Sequence, residues 1–272
     1  MLTRIISGVV GITLATAIIQ YGGVPYAVAV FLLALIGWRE YTAAFHHKGL
    51  KLLSAAGYIS IIILLLGGLS GDLSHLGIHL TVVTFILLLA LVYLHGKISA
   101  EGVAFSVMGV FYIGWGFLHL LLLRNFAPDT SVQTFAGEMT LGCAFLWIMF
   151  LGTWSSDTFA YFTGYFFGRH KMSPEISPKK TIEGFIGGLV GTTAVVTALG
   201  VHLGMAAWLM AGLGAAVCIL ATLGDLVESV IKRYTGIKDS GNIIPGHGGI
   251  LDRFDSVIFT APLVYWFLIL VR

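Results

Sequence analysis

The sequence predicts an all-α integral membrane protein that crosses the bilayer about nine times. Of its 272 residues, 57% are hydrophobic and only 10% are charged, whereas a soluble domain carries about 25% charged residues. Apolar runs of about 20 residues, the length that spans a bilayer as a helix, recur along the chain. In lipid, such a run can satisfy its backbone only as a helix. The net charge of +2 gives no electrostatic reason to expect a nucleic-acid partner.

Short loops join nine candidate spans, without a soluble domain between them. The first run follows a single Arg4 and could be read as a signal peptide, but the many similar runs after it favour a retained span. The second, sixth and eighth runs are long and end in polar residues. The predicted spans cover residues 5–21, 25–45, 52–70, 76–95, 102–123, 138–167, 182–202, 205–232 and 254–271.

The distribution of lysine and arginine predicts the orientation of these spans. With nine spans, thirteen of the 15 basic residues fall on the side of the N-terminus, and only Arg124 and Arg272 fall on the other. Cytoplasmic loops carry the excess of Lys and Arg. The N-terminus is therefore predicted to be cytoplasmic and the C-terminus to be outside.

Four polar clusters are predicted to meet at the cytoplasmic interface. Asp157 and Asp225 each lie about 20 residues inward from the outer end of a span, which is roughly 30 Å along a helix. The segments SPKKTIEG (residues 177–184) and PGHGGILDRFD (residues 245–255) each precede a span that starts on that same side. Convergence of four segments at one depth predicts an active site there.

The spacing of the polar residues favours a metal-bound polyphosphate. In the eighth span Asp225, Ser229 and Lys232 are spaced i, i+4 and i+7, which places an acid, a hydroxyl and a base on one helical stripe. Asp252 and Asp255 lie one turn apart and could join Asp225 around a hard cation such as Mg²⁺. The competing interpretations are a solvated helix end for the stripe and an N-terminal cap for the two aspartates.

The remaining polar residues are more ambiguous. The glycines of PGHGG permit positive φ angles, so that backbone amides could cradle a phosphate, whereas His247 alone is more typical of a turn. Lys179 and Lys180 precede a helix start, where anions bind, but taken alone they are better explained by a positive loop at the cytoplasmic face. Thr181 is expected to cap that helix. The glycines after Asp157 and after Thr181 are predicted to serve helix packing.

A long, gapped motif in residues 229–255 resembles the signature of the phosphatidate cytidylyltransferases, also called CDP-diacylglycerol synthases. It reads SVIKRYTGIKDSGNIIPGHGGILDRFD. The runs DTFAY and ISPKKTIEGFIGG are also similar to that family, and together they extend the resemblance over residues 150–260. The resemblance implies that residues 1–272 form a single transmembrane domain, with scaffold, lipid-cavity or dimer contacts in residues 1–135 and the catalytic portion in residues 136–272.

The resemblance implies the reaction of CTP with phosphatidate to give CDP-diacylglycerol and diphosphate. It also implies Mg²⁺ with a second cation, divalent or K⁺, a homodimer surrounded by membrane lipids, and an active site at the cytoplasmic face of a bacterial inner membrane. The implied metal ligands are Asp225, Asp252 and Asp255, which with Lys232 form the catalytic set. The implied substrate-binding residues are Asp157, Lys179, Lys180, Ser229, Arg233, Lys238, Asp239, His247 and Arg253.

Two alternatives stay open at this stage. A CDP-archaeol synthase would use the same motifs on an ether lipid, and a membrane transporter would be expected to hold polar residues near the bilayer midplane and to contain paired repeats. The polar clusters here lie at one interface instead. A CDP-alcohol phosphotransferase is disfavoured because the chain contains no Asp-Gly pair, and a prenyltransferase because only DRFD approaches the expected pair of aspartate-rich motifs.

Overall fold

The computed structural model describes residues 2–69, 76–244, 246 and 248–271. Within that part of the chain, a continuous helical segment lies at each of the nine predicted spans. One of them, residues 100–124, passes through a π-helical stretch. The helices are α1 (Leu2–Tyr21), α2 (Gly23–His47), α3 (Ser54–Gly68), α4 (Leu76–Tyr93), α5 (Ala100–Gly109), the π-helical stretch Val110–Trp115, α6 (Gly116–Arg124), α7 (Leu141–Phe167), α8 (Ile182–His202), α9 (Ala207–Thr235) and α10 (Leu251–Val271).

The predicted all-α polytopic architecture is confirmed. Six helical segments of the described chain are long and apolar enough to cross a membrane: α2, α4, residues 100–124, α8, α9 and α10. The apolar parts of α1 and α3 are shorter, while the 27-residue α7 becomes polar in its second half, near Asp157. The count of nine spans and the side on which each terminus lies stay predictions.

Two short antiparallel hairpins interrupt the helical pattern. The first pairs β1 (Ser131–Thr134) with β2 (Gly137–Thr140), and the second pairs β3 (Lys171–Ser173) with β4 (Ser177–Thr181). The sequence predicted only a loop around SPKKT. Each hairpin ends in a threonine that caps the next helix: Thr140 Oγ1 accepts from the Cys143 amide at 3.4 Å, and Thr181 Oγ1 accepts from the Gly184 amide at 3.1 Å. The predicted capping role of Thr181 is confirmed.

The chain divides into two compact units. The first consists of residues 1–125 and 232–254, and the second of residues 126–231 and 255–272. Helices α9 and α10 each contribute to both. This division resembles the predicted boundary near residue 135, except that residues 232–254, the glycine-rich part of the signature, group with the N-terminal helices.

The core of the first unit is built around an aromatic face of α2. Trp38, Tyr41 and Phe45 are fully or almost fully buried. The Trp38 indole donates to the Ser54 carbonyl at 3.0 Å, and the Tyr41 hydroxyl donates to the Phe105 carbonyl at 3.0 Å. A Cβ atom on Gly57 would collide with the Trp38 ring. Buried aromatic rings with satisfied polar atoms therefore hold α2 against α3 and α5.

In the second unit, glycines allow α8 to pack closely on its neighbours. A Cβ on Gly184 would lie 2.8 Å from the Ala160 carbonyl oxygen of α7, and one on Gly191 would collide with the Phe159 ring. On the other side, a Cβ on Gly214 of α9 would lie 2.8 Å from the Thr193 Cα atom of α8. Small residues at such crossings let helix backbones approach each other, which agrees with the packing interpretation of these glycines.

A pair of glycines in α9 tests this packing. The substitution Gly214→Ala should lower the thermal unfolding midpoint of the detergent-solubilised protein, because its Cβ meets backbone of α8 and overpacking costs about 1–3 kcal/mol. Gly212→Ala, two residues away on the same helix, meets no described atom within 4 Å and should leave the midpoint unchanged or raise it. Equal midpoints for the two variants would contradict the close approach.

Candidate active site

A cleft of about 410 Å³ in the second unit gathers four of the predicted site residues. It lies among α7, the β3–β4 hairpin, α8 and α9. Asp157 enters it from α7, Lys179 and Lys180 from β4, and Asp225 from α9. Three of the four segments that were predicted to converge therefore contribute to one concavity. The other lining residues are Ser156, Ala160, Tyr161, Gly164, Tyr165, Met172, Thr181, Gly184, Phe185 and Thr222.

An ion pair joins the hairpin to α9 in this cleft. Lys180 Nζ lies 2.7 Å from Asp225 Oδ2 and also donates to the Thr222 carbonyl at 3.3 Å. Both side chains are about one-quarter to one-third exposed, at 23% and 34%. On the same face of α9, Ser229 Oγ donates to Asp225 Oδ1 at 3.3 Å, as the i, i+4 spacing predicts.

Asp225 also belongs to a cluster of three carboxylates. One oxygen from each of Asp225, Glu228 and Asp255 lies within 4.8 Å of the others. The fourth predicted segment, α10, contributes Asp255 to this cluster. Gly224 allows the approach, because a Cβ there would collide with the Asp255 carbonyl oxygen, and Ser256 Oγ donates to the Ala221 carbonyl at 2.9 Å.

Glu228 is the member that the sequence analysis missed. It lies one helical turn after Asp225, and only 2% of its surface is exposed. A carboxyl group on an otherwise apolar helix, three residues from another, was a signal that could have identified it. An all-oxygen set of three carboxylates is the kind of site that hard cations prefer, so these residues fit Mg²⁺.

In the first unit, Asp252 holds the glycine-rich segment (residues 236–250) in place. Its Oδ1 atom accepts from Lys232 Nζ at 2.8 Å. Its Oδ2 atom accepts from the Ser240 amide and hydroxyl, each at 2.8 Å, and from the Gly249 amide at 2.9 Å. The structure thus explains Asp252 as an organiser of the segment. The metal role predicted for it stays a prediction.

Glu40, on α2, is a second carboxylate that holds this segment. It is 5% exposed, and its two oxygens accept from the amides of Ile250 and Leu251, each at 3.0 Å. These are orphan amides at the start of α10, so Glu40 caps a helix from a distant part of the chain. The sequence analysis did not identify it, although a lone carboxylate in an apolar span was a usable signal.

Glycines make this arrangement possible in two ways. Gly246 and Gly248 have φ angles of 79° and 87°, which confirms the positive φ predicted for two of the three glycines. Gly249 is required for space instead, because a Cβ there would lie 2.5 Å from Glu40 Oε2. The turn therefore depends on glycine for both backbone conformation and close contact.

Four further predicted site residues lie exposed around the segment: Arg233, Lys238, Asp239 and Arg253. Pro245 and His247 lie outside the described residues, so the role predicted for His247 stays a prediction.

The chain is similar to known proteins over nearly its whole length. A sequence model of the cytidylyltransferase family matches residues 2–271. The chain belongs to this family. A phosphatidate cytidylyltransferase of Synechocystis sp. is 36% identical over 290 residues, covering 98% of this chain and 96% of the relative. One from Staphylococcus haemolyticus is 37% identical over 271 residues, covering 97% of each chain.

Family membership confirms the resemblance that the signature carried and makes the chain an enzyme that transfers a cytidylyl group. The match extends over both halves of the chain, including the N-terminal helices, where the sequence showed only general similarity. The transporter interpretation is therefore excluded as the main activity. The Glu40 contact lies between those N-terminal helices and the signature, which gives the N-terminal helices a direct part in shaping the site region.

Removal of the Glu40 carboxylate should loosen the glycine-rich segment. In Glu40→Ala, the Ile250 and Leu251 amides lose their acceptors. Losing the partner of a buried group costs about 1–3 kcal/mol, so amide hydrogen exchange there should accelerate roughly 10- to 100-fold. Glu40→Gln retains one acceptor oxygen, so its exchange rates should lie between those of the natural chain and those of Glu40→Ala. Glu138→Ala, on an exposed hairpin strand, is the control. Unchanged exchange in Glu40→Ala would contradict the capping role.

Proposed function

We propose that this protein is a phosphatidate cytidylyltransferase, which converts CTP and phosphatidate into CDP-diacylglycerol and diphosphate. The observation that carries the proposal is the cleft in which Lys180 pairs with Asp225 beside a cluster of three carboxylates. Cations and carboxylates side by side suit a reaction between two phosphate-bearing substrates. The names of full-length relatives at 36–37% identity support the same substrates.

The proposed chemistry is an in-line displacement at phosphorus. An anionic phosphate oxygen of phosphatidate attacks the α-phosphorus of CTP, and a new P–O–P linkage forms. The bond between the α-phosphorus and the oxygen that bridges to the β-phosphate breaks, and diphosphate leaves with that oxygen. A phosphate monoester has its second pKa near 6, so the nucleophile is already largely deprotonated at neutral pH. No strong general base is required, and positioning and charge neutralisation supply the catalysis.

The residues of the cleft are suited to neutralise charge. Lys179 and Lys180 lie on one strand that ends at the capped start of α8, and their ammonium groups can bind phosphate oxygens. Ser229 is bonded to Asp225 and holds its carboxylate in one orientation. Asp157 lines the same cleft and is proposed to contact substrate.

In the first unit, Lys232, paired with Asp252, is proposed as a further phosphate-binding cation. A role in substrate binding or in ordering the glycine-rich segment is proposed for His247 and for the exposed Arg233, Lys238, Asp239 and Arg253.

A Mg²⁺ site is part of the proposal. Asp225, Glu228 and Asp255 would hold the ion, and the family resemblance adds Asp252 and a second cation, divalent or K⁺. Bound Mg²⁺ would supply positive charge to the phosphate oxygens and to the leaving diphosphate. The chain's own part is to gather three carboxylates beside one lysine, so that substrate phosphates meet a site whose charges are already arranged.

The proposed location is the cytoplasmic membrane of a bacterium, with the site on the cytoplasmic face. The excess of Lys and Arg near the clusters supports that face, and CTP is a cytosolic nucleotide. The relatives compared come from bacteria. A homodimer is proposed from the family resemblance alone.

An enzyme that acts on an ether-lipid phosphate is the second candidate, because the motifs read the phosphates and not the lipid tails. Purified protein in detergent should release diphosphate only when CTP, Mg²⁺ and phosphatidate are all present, and omission of any one should reduce release to background. Release with an ether-lipid phosphate but not with phosphatidate would favour the ether-lipid enzyme. No release with either, from folded protein, would contradict the proposed function.

Replacing two of the acidic residues with the corresponding amides should reduce turnover without preventing folding. Asp225→Asn and Asp252→Asn should each lower turnover by at least about 100-fold, as expected for loss of charge organisation in a preorganised site, while the amount of folded protein changes little. Asp225→Asn should also weaken Mn²⁺ binding, followed by electron paramagnetic resonance. Asp129→Asn, at an exposed position in the loop before β1, is the matched control. Retained turnover in both active-site variants would contradict the assignment.

A further inference from the structure

A second concavity, which we call the basic cavity, lies in the first unit. It has a volume of about 700 Å³. Three stretches of chain form it: the C-terminal part of α2, the connection into α3, and the turn after α4. None of its lining residues belongs to the predicted catalytic set. They are Arg39, Thr42, Ala43, His46, Leu50, Lys51, Leu52, Ser54, Tyr58, Leu94, Lys97 and Ile98.

The positive charge of the basic cavity is not balanced by carboxylates among its described lining residues. Arg39, Lys51 and Lys97 contribute one cation from each of the three stretches, and His46 adds a fourth basic side chain. No aspartate or glutamate of the described chain lines the cavity. Among the described residues, none of the three permanent cations has a carboxylate within ion-pair distance. This differs from the catalytic cleft, where Lys180 is paired with Asp225.

The rest of the cavity wall is apolar, and apolar surface continues beside it. Leu52 is buried, and Leu50, Leu94 and Ile98 are partly buried. Just beyond the cavity, Ile59 on α3 is 50% exposed and Tyr93 at the end of α4 is 82% exposed. In a membrane protein such exposed apolar surface contacts lipid. The cations of the cavity therefore lie next to surface that acyl chains can cover. That combination fits an amphipathic anion better than a soluble one.

The ordinary explanation of cytoplasmic lysines is the positive-inside bias alone, which does not require a binding site. Two features go beyond that bias. Cations from three separate stretches line one concavity, and residues next to two of those stretches contact the end of α9. Lys48, two residues after His46, donates to the Tyr234 carbonyl at 2.7 Å, and the Tyr234 hydroxyl donates to Glu101, near the start of α5. These hydrogen bonds fix the chain next to the cavity, so tertiary contacts define the shape of the cavity.

We propose that the basic cavity binds the phosphate head group of an acidic membrane phospholipid that is not the substrate of the reaction. Each phosphate oxygen would find a cation from a different stretch of chain, while the acyl chains lie along α3 and α4. Because Lys48 and Glu101, which lie close in sequence to the lining residues His46 and Ile98, contact Tyr234, an occupied cavity would brace the end of α9, two residues beyond Lys232. The site is separate from the proposed chemistry and does not depend on the identity of the lipid substrate.

The test is retention of phosphatidylglycerol, a lipid that is acidic but is not the proposed substrate. Purified protein in a zwitterionic detergent would be titrated with phosphatidylglycerol and examined by native mass spectrometry. The double variant Lys51→Gln/Lys97→Gln should bind it roughly 30-fold more weakly than the natural chain, because each cation near a lipid surface contributes about a fivefold factor. The matched control is Arg169→Gln/Lys171→Gln, which removes two exposed cations outside the cavity.

The outcomes distinguish the proposal from general attraction between a basic protein and acidic lipid. Selective loss in the Lys51/Lys97 variant supports the site, provided that its thermal unfolding midpoint matches that of the control. Equal binding by both double variants would overturn the proposal. A parallel titration with inorganic phosphate addresses the other source of the same chemistry. Phosphate binding that depends on Lys51 and Lys97, without any difference in lipid binding, would overturn the assignment to a lipid.

Discussion

The ion pair between Lys180 and Asp225 is the interaction on which the candidate active site depends. It joins the β3–β4 hairpin to α9 over 2.7 Å, next to the point where Glu228 and Asp255 approach the same aspartate. Three carboxylates this close repel one another, and nearby positive charge offsets that repulsion. The lysine supplies part of that charge, and a bound cation or substrate-associated cation can supply the rest. A reaction that joins two anionic phosphates needs this kind of environment.

The glycine-rich segment is held by a different device, two carboxylates on different helices. Asp252 binds the segment from within the first turn of α10, and Glu40 binds the start of α10 from α2. Backbone amides are thereby satisfied in a stretch that has few side chains with which to pack. Glycine is needed because two positions have positive φ and another faces the Glu40 carboxylate. The signature is therefore partly a folding motif, since some of its residues shape the backbone and need not touch substrate.

The candidate cleft and the basic cavity differ in how their lysines are compensated. In the catalytic cleft, Lys180 is paired and the neighbouring groups are acidic, which suits metal and phosphate together. In the basic cavity, cations lie beside apolar side chains, and no carboxylate is among the described lining residues, which suits the head group of a lipid. An enzyme of lipid synthesis would benefit from a response to the acidic lipid content of its own membrane. The contacts between the chain next to the cavity and the end of α9 could transmit lipid binding to α9.

The sequence alone determined the membrane class, the positions of the helices, the family and four residues that line the candidate cleft. These depend on local signals: apolar length, the i, i+4 spacing of Asp225 and Ser229, and the capping threonine before α8. The tertiary structure alone decided the roles of Glu40 and Glu228, the hairpin that positions Lys180, and the shape of the basic cavity. Glu40 contacts amides 210 and 211 residues away, and no local pattern encodes a contact that depends on how distant helices pack.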